Sequence, residues 1–151
     1  MHSGLKIERV MVSDHAAIFV LLQKVGLPPD GIEDHLKDFL IIRHPEAAAG
    51  PEFLIGSIGI EVYGDSALLR SLAIHPDYQG RGLGTKLING VIEVAKNRGI
   101  TRLFLLTDTA EEYFKKKGFI NVNRDQVPID MKQSVEFTNL CNSSPSLMLE
   151  I

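Results

Sequence analysis

The stretch Gln79-Gly-Arg-Gly-Leu-Gly-Thr85 sets glycines at every second position, between an apolar run ending at Ile74 and a helical pattern that opens near Gly84. Glycine lets successive backbone N–H groups converge and lets a ligand approach the main chain closely. The start of a helix adds unpaired N–H groups and the positive end of its dipole. Together these can hold an anionic phosphate, with the Thr85 hydroxyl as a further donor and Arg81 and Lys86 as nearby positive charge. Two common phosphate loops do not fit. A nucleoside-triphosphate loop ends in Gly-Lys-Ser/Thr, whereas Gly84 is followed by Thr85 and only then by Lys86. The dinucleotide spacing G-x-G-x-x-G fails because Gly80, Gly82 and Gly84 are evenly spaced. What fits is Gln/Arg-x-x-Gly-x-Gly/Ala, carried by Gln79, Gly82 and Gly84. A glycine-rich connection with no ligand is the alternative.

The elements around this loop follow from periodicity. Ser13 reads as a helix N-cap, and Asp14 to Val25 carries an apolar face through Ala17, Leu21 and Leu22. Gly26-Leu-Pro-Pro29 stops that helix. Ile32, Leu36, Phe39 and Leu40 then recur at helical spacing, which predicts a second helix from Asp30 to about Ile42. The prolines and glycine of His44–Pro51 make a loop. Glu52–Tyr63 and Ser66–Ile74 read as strands joined by a tight turn at Gly64-Asp65, the second ended by His75-Pro76. After the glycine-rich loop, Gly84, Leu87, Ile88, Val91 and Ala95 mark one face of a helix, with Gly99 as its C-cap. Ile100–Thr107 has the length and composition of a buried strand. Thr109-x-x-Glu112 resembles a capping box opening a short helix that closes at Gly118. Phe119–Asn123 and Ser146–Ile151 read as the last strands, with no clear pattern over Pro128–Leu140. This order implies an α/β (α+β) fold in which a mixed sheet is covered by helices.

Composition bounds the partners. The chain has 151 residues, 44% hydrophobic and 23% charged, which are ordinary values for one globular domain spanning 1–151. Sixteen basic against nineteen acidic side chains give a net charge of −3, against a nucleic-acid partner. No stretch approaches the ~20 apolar residues that span a bilayer, and the N-terminus lacks the pattern of a signal peptide. Cys141 is the only cysteine, so no internal disulfide forms and a reducing cytoplasm is the expected location.

The segment Leu72-Ala-Ile-His-Pro-Asp-Tyr-Gln-Gly-Arg-Gly-Leu-Gly-Thr-Lys-Leu87 resembles the central strand, loop and helix of the GCN5-related N-acetyltransferases (GNAT), and Tyr113-Phe-Lys-Lys-Lys-Gly-Phe119 resembles their late helix ending in Gly-Phe. The resemblance implies a splayed sheet that binds acetyl-CoA and transfers its acetyl group directly to an amine. It places the pyrophosphate on the amides of Gln79, Gly80, Arg81, Gly82, Leu83, Gly84 and Thr85. The pantetheine arm would pair with the backbone over Leu72, Ala73 and Ile74, like an added strand, with further contacts from Thr107 and Phe114. A narrower resemblance, to N-acetyltransferases associated with arsenic-resistance operons, is carried by Gly26-Leu-Pro, Gly31–Leu40, Gly59–Asp65, Leu68–Ile74, Leu106–Ala110 and Glu136–Asn142. It specifies a subgroup, not a substrate.

Transfer needs an amine freed of its proton, a polarised thioester carbonyl and an acid for the departing thiolate. Amines with pKa values near ~10 need a base or a water relay at neutral pH. The resemblance implies a backbone N–H on a bulged central strand as the oxyanion donor. The family commonly sets its acid, a tyrosine, four residues before the Gly of Gly-Phe; here that position is Phe114. Tyr113 stands beside it, but neighbours on a helix point about 100° apart, so Tyr113 serves only if the helix is rotated. The asparagine frequent earlier in the family falls on Thr107, which can still hydrogen-bond the pantetheine. Glu61, on the strand before the central one, is the best carboxylate for a base; its other role is a solvated residue or a structural partner of Arg70. Arg70 shares a strand face with Leu68 and Leu72 by alternation and would receive an anionic group of the acceptor. His2, His15, His35, His44 and His75 show no ligand spacing, and Cys141 reads as a packed small hydrophobe. Lys115–Lys117 reads as a solvated helix end, with the coenzyme's 3′-phosphate as the other use for one of them. The expected protein is therefore an acetyl-CoA-dependent N-acetyltransferase for a small-molecule amine. The alternatives are a coenzyme-A-binding sensor without turnover and a protein or peptide N-acetyltransferase. A homodimer is common among such small folds.

Overall fold

The computed structural model describes residues 5–45, 53–140 and 144–151, without the side chains of 139 and 140. His2, Cys141, Asn142 and most of the His44–Pro51 loop lie outside the described residues. Seven strands form a mixed sheet in the order β1-β2-β3-β4-β5-β7-β6. They are β1 (Ile7–Arg9), β2 (Phe39–Arg43), β3 (Leu54–Tyr63), β4 (Ser66–Ile74), β5 (Arg102–Leu106), β6 (Ile120–Val122) and β7 (Ser146–Glu150). The helices are α1 (His15–Lys24), α2 (Leu83–Asn97), α3 (Glu111–Lys116) and α4 (Ile129–Lys132). The chain forms two compact units, Met1–Ile60 with Ser71–Val94 and Glu61–Arg70 with Ala95–Ile151, and β3 and β4 run from one into the other.

In the first unit, β2 lies between β1 and β3, antiparallel to both. Ala17, Ile18, Leu21 and Leu22 of α1 pack with Phe39, Ile41, Leu54 and Ala73. On β2 the alternate residue Leu40 meets Gly90 of α2, where an added Cβ would stand 3.2 Å from the Leu40 side chain. β2 is thus buried on both faces, which explains why it reads as an unbroken apolar run. The second helix expected over Asp30–Ile42 is replaced by two 3₁₀ turns, Ile32–Asp34 and Leu36–Asp38, and then β2. Phe39 and Leu40 keep helical spacing from Ile32 only because the turns precede them. The β-branched pair Ile41-Ile42 favours the strand, and two neighbouring strands satisfy its backbone. Ser13 does not cap α1. A 3₁₀ turn, Val12–Asp14, precedes it, and the buried Asp14 carboxylate accepts the Met11 N–H and two bonds from Arg43 at 2.9 and 3.1 Å.

In the second unit, β7 pairs antiparallel with β5 and with β6. The Gly64-Asp65 turn has φ +65° at Gly64, with Asp65 outside the positive-φ set, the arrangement of a type II′ hairpin turn. Leu68, Phe104, Val127, Met131 and Phe137 form the core, with Tyr63, Leu106, Val122 and Met148 against it. The segment without a sequence pattern holds α4 and a π-helix over Glu136–Leu140. α3 has Ala110 at its N-cap, without a Thr109 side-chain cap; instead the Thr107 hydroxyl accepts the Ala110 N–H at 3.0 Å. The parallel β4–β5 ladder covers only Ser66–Leu68 against Arg102–Phe104.

Candidate functional site

In the first unit, β4 ends in a 3₁₀ turn, Pro76–Tyr78, opened by His75, whose side chain accepts the Asp77 N–H. Gln79 then folds back, its Nε2 donating to the Ile74 carbonyl at 3.0 Å. Gly80 and Gly82 adopt φ +77° and +79°, a backbone that L side chains resist, and a Cβ on either would meet nothing within 4 Å. The exposed loop therefore offers its main chain directly to solvent. In α2 the Lys86 N–H bonds back to the Gly82 carbonyl, so the amides of Gly82, Leu83 and Gly84 stand ahead of that bond in the first turn. The loop thus presents open main chain at the head of a helix, a geometry that can receive an anionic group. The expected charges are tethered. Arg81 donates to the Asp77 carbonyl at 3.1 Å and lies over the Tyr78 ring, while Lys86 reaches the Leu5 carbonyl at 2.9 Å.

Upstream of this loop, Ser71 is the non-glycine residue with positive φ among the described residues, at +62°. Such a conformation costs about 1–3 kcal/mol and persists where its surroundings fix it. Here Ser57, fully buried on β3, donates its hydroxyl to the Ser71 carbonyl at 2.8 Å. The central strand is kinked at this point. The period-two alternation that put Leu68, Arg70 and Leu72 on one face does not carry through the kink.

In the second unit, Arg70 joins two carboxylates. Its guanidinium is fully enclosed, donating from Nη1 to Glu61 Oε2 at 2.7 Å, with Nε 3.4 Å from Glu136 Oε2. Tyr63 O–H donates to Glu61 Oε1 at 2.5 Å. Both Glu61 oxygens are engaged, and Glu61 is 2% exposed. Glu61 is thus paired with Arg70 and Tyr63, the partner of Arg70 being one of the roles open to it on sequence. Arg70 likewise carries an internal acidic pair and does not stand open to an anionic group. Burial, then the Glu61 hydrogen bond, pushes the Tyr63 hydroxyl well above its ordinary value. Burial also raises Glu136 to about 7, against the pull of Arg70 and with a push from Glu61. Sequence reasoning missed Glu136. It lay in the segment without periodicity, and only its place in a buried cluster reveals it.

α3 turns Phe114 inward, 6% exposed and edge-on to Phe119 at 5.5 Å. Tyr113 is 39% exposed beneath Lys117. α3 thus turns Phe114 rather than Tyr113 into the core. Among the described residues, no group of three or more His, Cys, Asp or Glu is placed to hold a metal ion. None of their helices is long and apolar enough to cross a membrane.

A mixed sheet with a kinked fourth strand, followed by a glycine-rich loop at the head of a long helix, is the arrangement of a GNAT-type fold. The profile of the acetyltransferase (GNAT) family matches residues 20–119, and the chain belongs to that family. It is 28% identical over 147 residues to an amino-acid acetyltransferase of Escherichia coli, covering 88% of this chain and 31% of that protein. Over 99 residues it is 29% identical to an amino-acid acetyltransferase of Neisseria meningitidis, covering 64% of this chain and 21% of the relative. The chain thus spans a third or less of these curated relatives. Among solved structures, N-acetylglutamate synthase from Neisseria gonorrhoeae, complexed with coenzyme A and L-arginine, superposes with a TM-score of 0.78 at 24% identity. That match covers 97% of this chain and 33% of the synthase. A Mycobacterium tuberculosis protein in complex with CoA superposes at 0.76 and 21% identity, covering 97% of this chain and 99% of that one.

Proposed function

We propose that the chain transfers the acetyl group of acetyl-CoA to the amine of a small molecule of the amino-acid class, which also carries a carboxylate or similar anionic group. The observation that carries this reading is the Gln79–Leu83 cradle, with open main chain at Gly80 and Gly82 ahead of α2. It stands in a GNAT chain whose relatives are named amino-acid acetyltransferases. In this reading the amides from Gln79 to Thr85 take the pyrophosphate, and the backbone of Leu72, Ala73 and Ile74 takes the pantetheine amides. When bound, acetyl-CoA supplies an activated acetyl thioester. In this reading a backbone N–H of the central strand polarises its carbonyl, the largest single contribution in many acyl transfers. The arsenic-operon subgroup belongs to this proposal as a relationship carried by Gly31–Leu40, Gly59–Asp65 and Leu68–Ile74. It does not identify the acceptor.

Thiol release from acetyl-CoA, measured over a panel of amino acids and of matched amines lacking the carboxylate, tests the reading. Turnover with amino acids and little with the decarboxylated amines supports it. Equal turnover of both groups would remove the anionic requirement. Acetyl-CoA binding by calorimetry without thiol release from any amine would favour the second reading, a coenzyme-A-binding module, which the buried Phe114 in the place of the family's acid supports.

A further inference from the structure

We propose that the outward face of α1, with Met11 and Val12 before it, is the surface by which two copies of this chain associate, their helices antiparallel across a twofold axis. The inference stands apart from the acetyl-transfer reading and lies wholly within the first unit.

α1 is apolar on two opposite sides. Ala17, Ile18, Leu21 and Leu22 face the core. Ala16, Phe19, Val20, Gln23 and Lys24 face outward, and the first charge among them is Lys24, at the last position of the helix. α2 supplies the contrast within the same chain, for its exposed positions Lys86, Asn89, Glu93, Lys96 and Asn97 are all polar. A helix that is apolar all round ordinarily lies between two packed surfaces. Spacings of three and four set Ala16, Phe19, Val20 and Gln23 on one side, and the patch continues into the turn before the helix. Val12 is 86% exposed, Met11 59%, Val20 56% and Phe19 39%. These four residues bare roughly 400 Å² per copy, at the level where an apolar patch ordinarily has a partner. Two such patches face to face, with a polar rim, reach the ~1,000 Å² that a specific interface needs.

The two ends of the face select the occupant. At the N-terminal end of α1 a cleft of about 400 Å³ is lined by Val12, His15, Glu33, Asp34, Leu36 and Lys37. Its two carboxylates outnumber the Lys37 ammonium, and His15 Nε2 stands 3.8 Å from Glu33 Oε2. At the C-terminal end stands the exposed Lys24. One face thus carries acid at one end, base at the other and apolar side chains between. A twofold contact needs a surface that complements itself after a half-turn, and this face does so when the two helices run antiparallel. Phe19 and Val20, at the middle of the ten-residue helix, then lie nearest the axis. Lys24 of each copy approaches the cleft end of the other, its methylene stem toward Val12 and Leu36 and its ammonium toward Glu33 and Asp34. The opposed helix dipoles favour the same direction. A partner of a single charge sign meets repulsion at one end of the face, whereas a second copy meets none at either.

Two measurements on the full chain test this: sedimentation velocity from about 1 to about 200 µM, and carbodiimide cross-linking of mixed ¹⁵N-labelled and unlabelled copies. Wild type should pass from monomer to dimer with a Kd of about 1–100 µM, as a small interface gives. A zero-length amide should join Lys24 of a labelled copy to Glu33 or Asp34 of an unlabelled one. Val20→Asp should raise Kd about 30-fold or more, because it sets a carboxylate against its own copy near the axis. Its circular dichroism and acetyl-CoA affinity should remain those of wild type, since Val20 is exposed and the glycine-rich loop lies on other residues. Lys24→Glu should raise Kd about tenfold, and Glu33→Lys with Asp34→Lys in the same chain should bring it back within about threefold. Should Val20→Asp fold poorly, the Lys24 reversal and its rescue decide the matter. The proposal is overturned if wild type stays monomeric to the top of the concentration range. It is equally overturned by a dimer that neither Val20→Asp nor Lys24→Glu weakens, or by one whose mixed-isotope links avoid Lys24, Glu33 and Asp34.

Discussion

Replacing Glu136 by Gln should change stability in a way that depends on pH. Folding raises this carboxyl from 4.5 to about 7, so between those values the native chain holds a proton that the unfolded chain has released. Stability is then fully present below the unfolded pKa and declines as pH rises through the folded one. The full displacement corresponds to roughly 3 kcal/mol, which relaxation of the site reduces to an expected 1–3 kcal/mol. The attraction of Arg70 is already contained in the displacement, because it opposes the rise. Gln keeps the shape and stays neutral throughout. At pH 5 the two proteins should unfold within about 0.5 kcal/mol of each other, whereas at pH 8 the Gln variant should be more stable by about 1–3 kcal/mol. Urea unfolding at both pH values measures this directly, and every other titrating group cancels in the difference. A variant less stable than wild type at pH 8, or an equal offset at both pH values, would refute the account of a carboxylate held at a cost.

Arg70→Met should leave two buried carboxylates without their cation, costing about 3–5 kcal/mol near pH 8 and lowering the thermal midpoint by roughly 6–20 °C in a domain of this size. Calorimetry should show a smaller deficit near pH 5, where Glu136 takes up its proton. Ser57→Ala should strip the buried Ser71 carbonyl of its hydroxyl donor and cost about 1–3 kcal/mol in urea unfolding. Gly82→Ala meets no atom but must adopt φ +79°, so it should cost about 1–2 kcal/mol of stability and weaken acetyl-CoA binding about tenfold or more by calorimetry. Tyr113→Phe should leave thiol release within about twofold, since the ring lies outside beneath Lys117.

The sequence by itself determined the parts whose physics is local. The cradle is a matter of glycine spacing before a helix, so Gln79, Gly80, Gly82 and Gly84 announced it, and the φ values of Gly80 and Gly82 follow from their lack of a Cβ. β4 was legible from end to end, because Gly64-Asp65 and His75-Pro76 punctuate it and apolar residues fill it. α2 was legible because its buried face repeats at helical period. Local signals misread the stretch before β2, where 3₁₀ turns imitate helical spacing and the strand exists only because β1 and β3 flank it. The sequence also proposed Glu61 and Arg70 as chemically active, from residue type and strand position. Only the tertiary structure decided what they do. Whether an oxygen is engaged depends on residues far away in the chain, and the Glu61–Tyr63–Arg70–Glu136 cluster joins β3 and β4 to a π-helix more than sixty positions later. The same holds for Phe114 and Tyr113. Their order along the chain is fixed, but which of them turns inward is decided by the packing of Phe114 on Phe119. An engaged oxygen, a buried charge and a displaced proton are properties of a neighbourhood, and no single segment of this chain contains that neighbourhood.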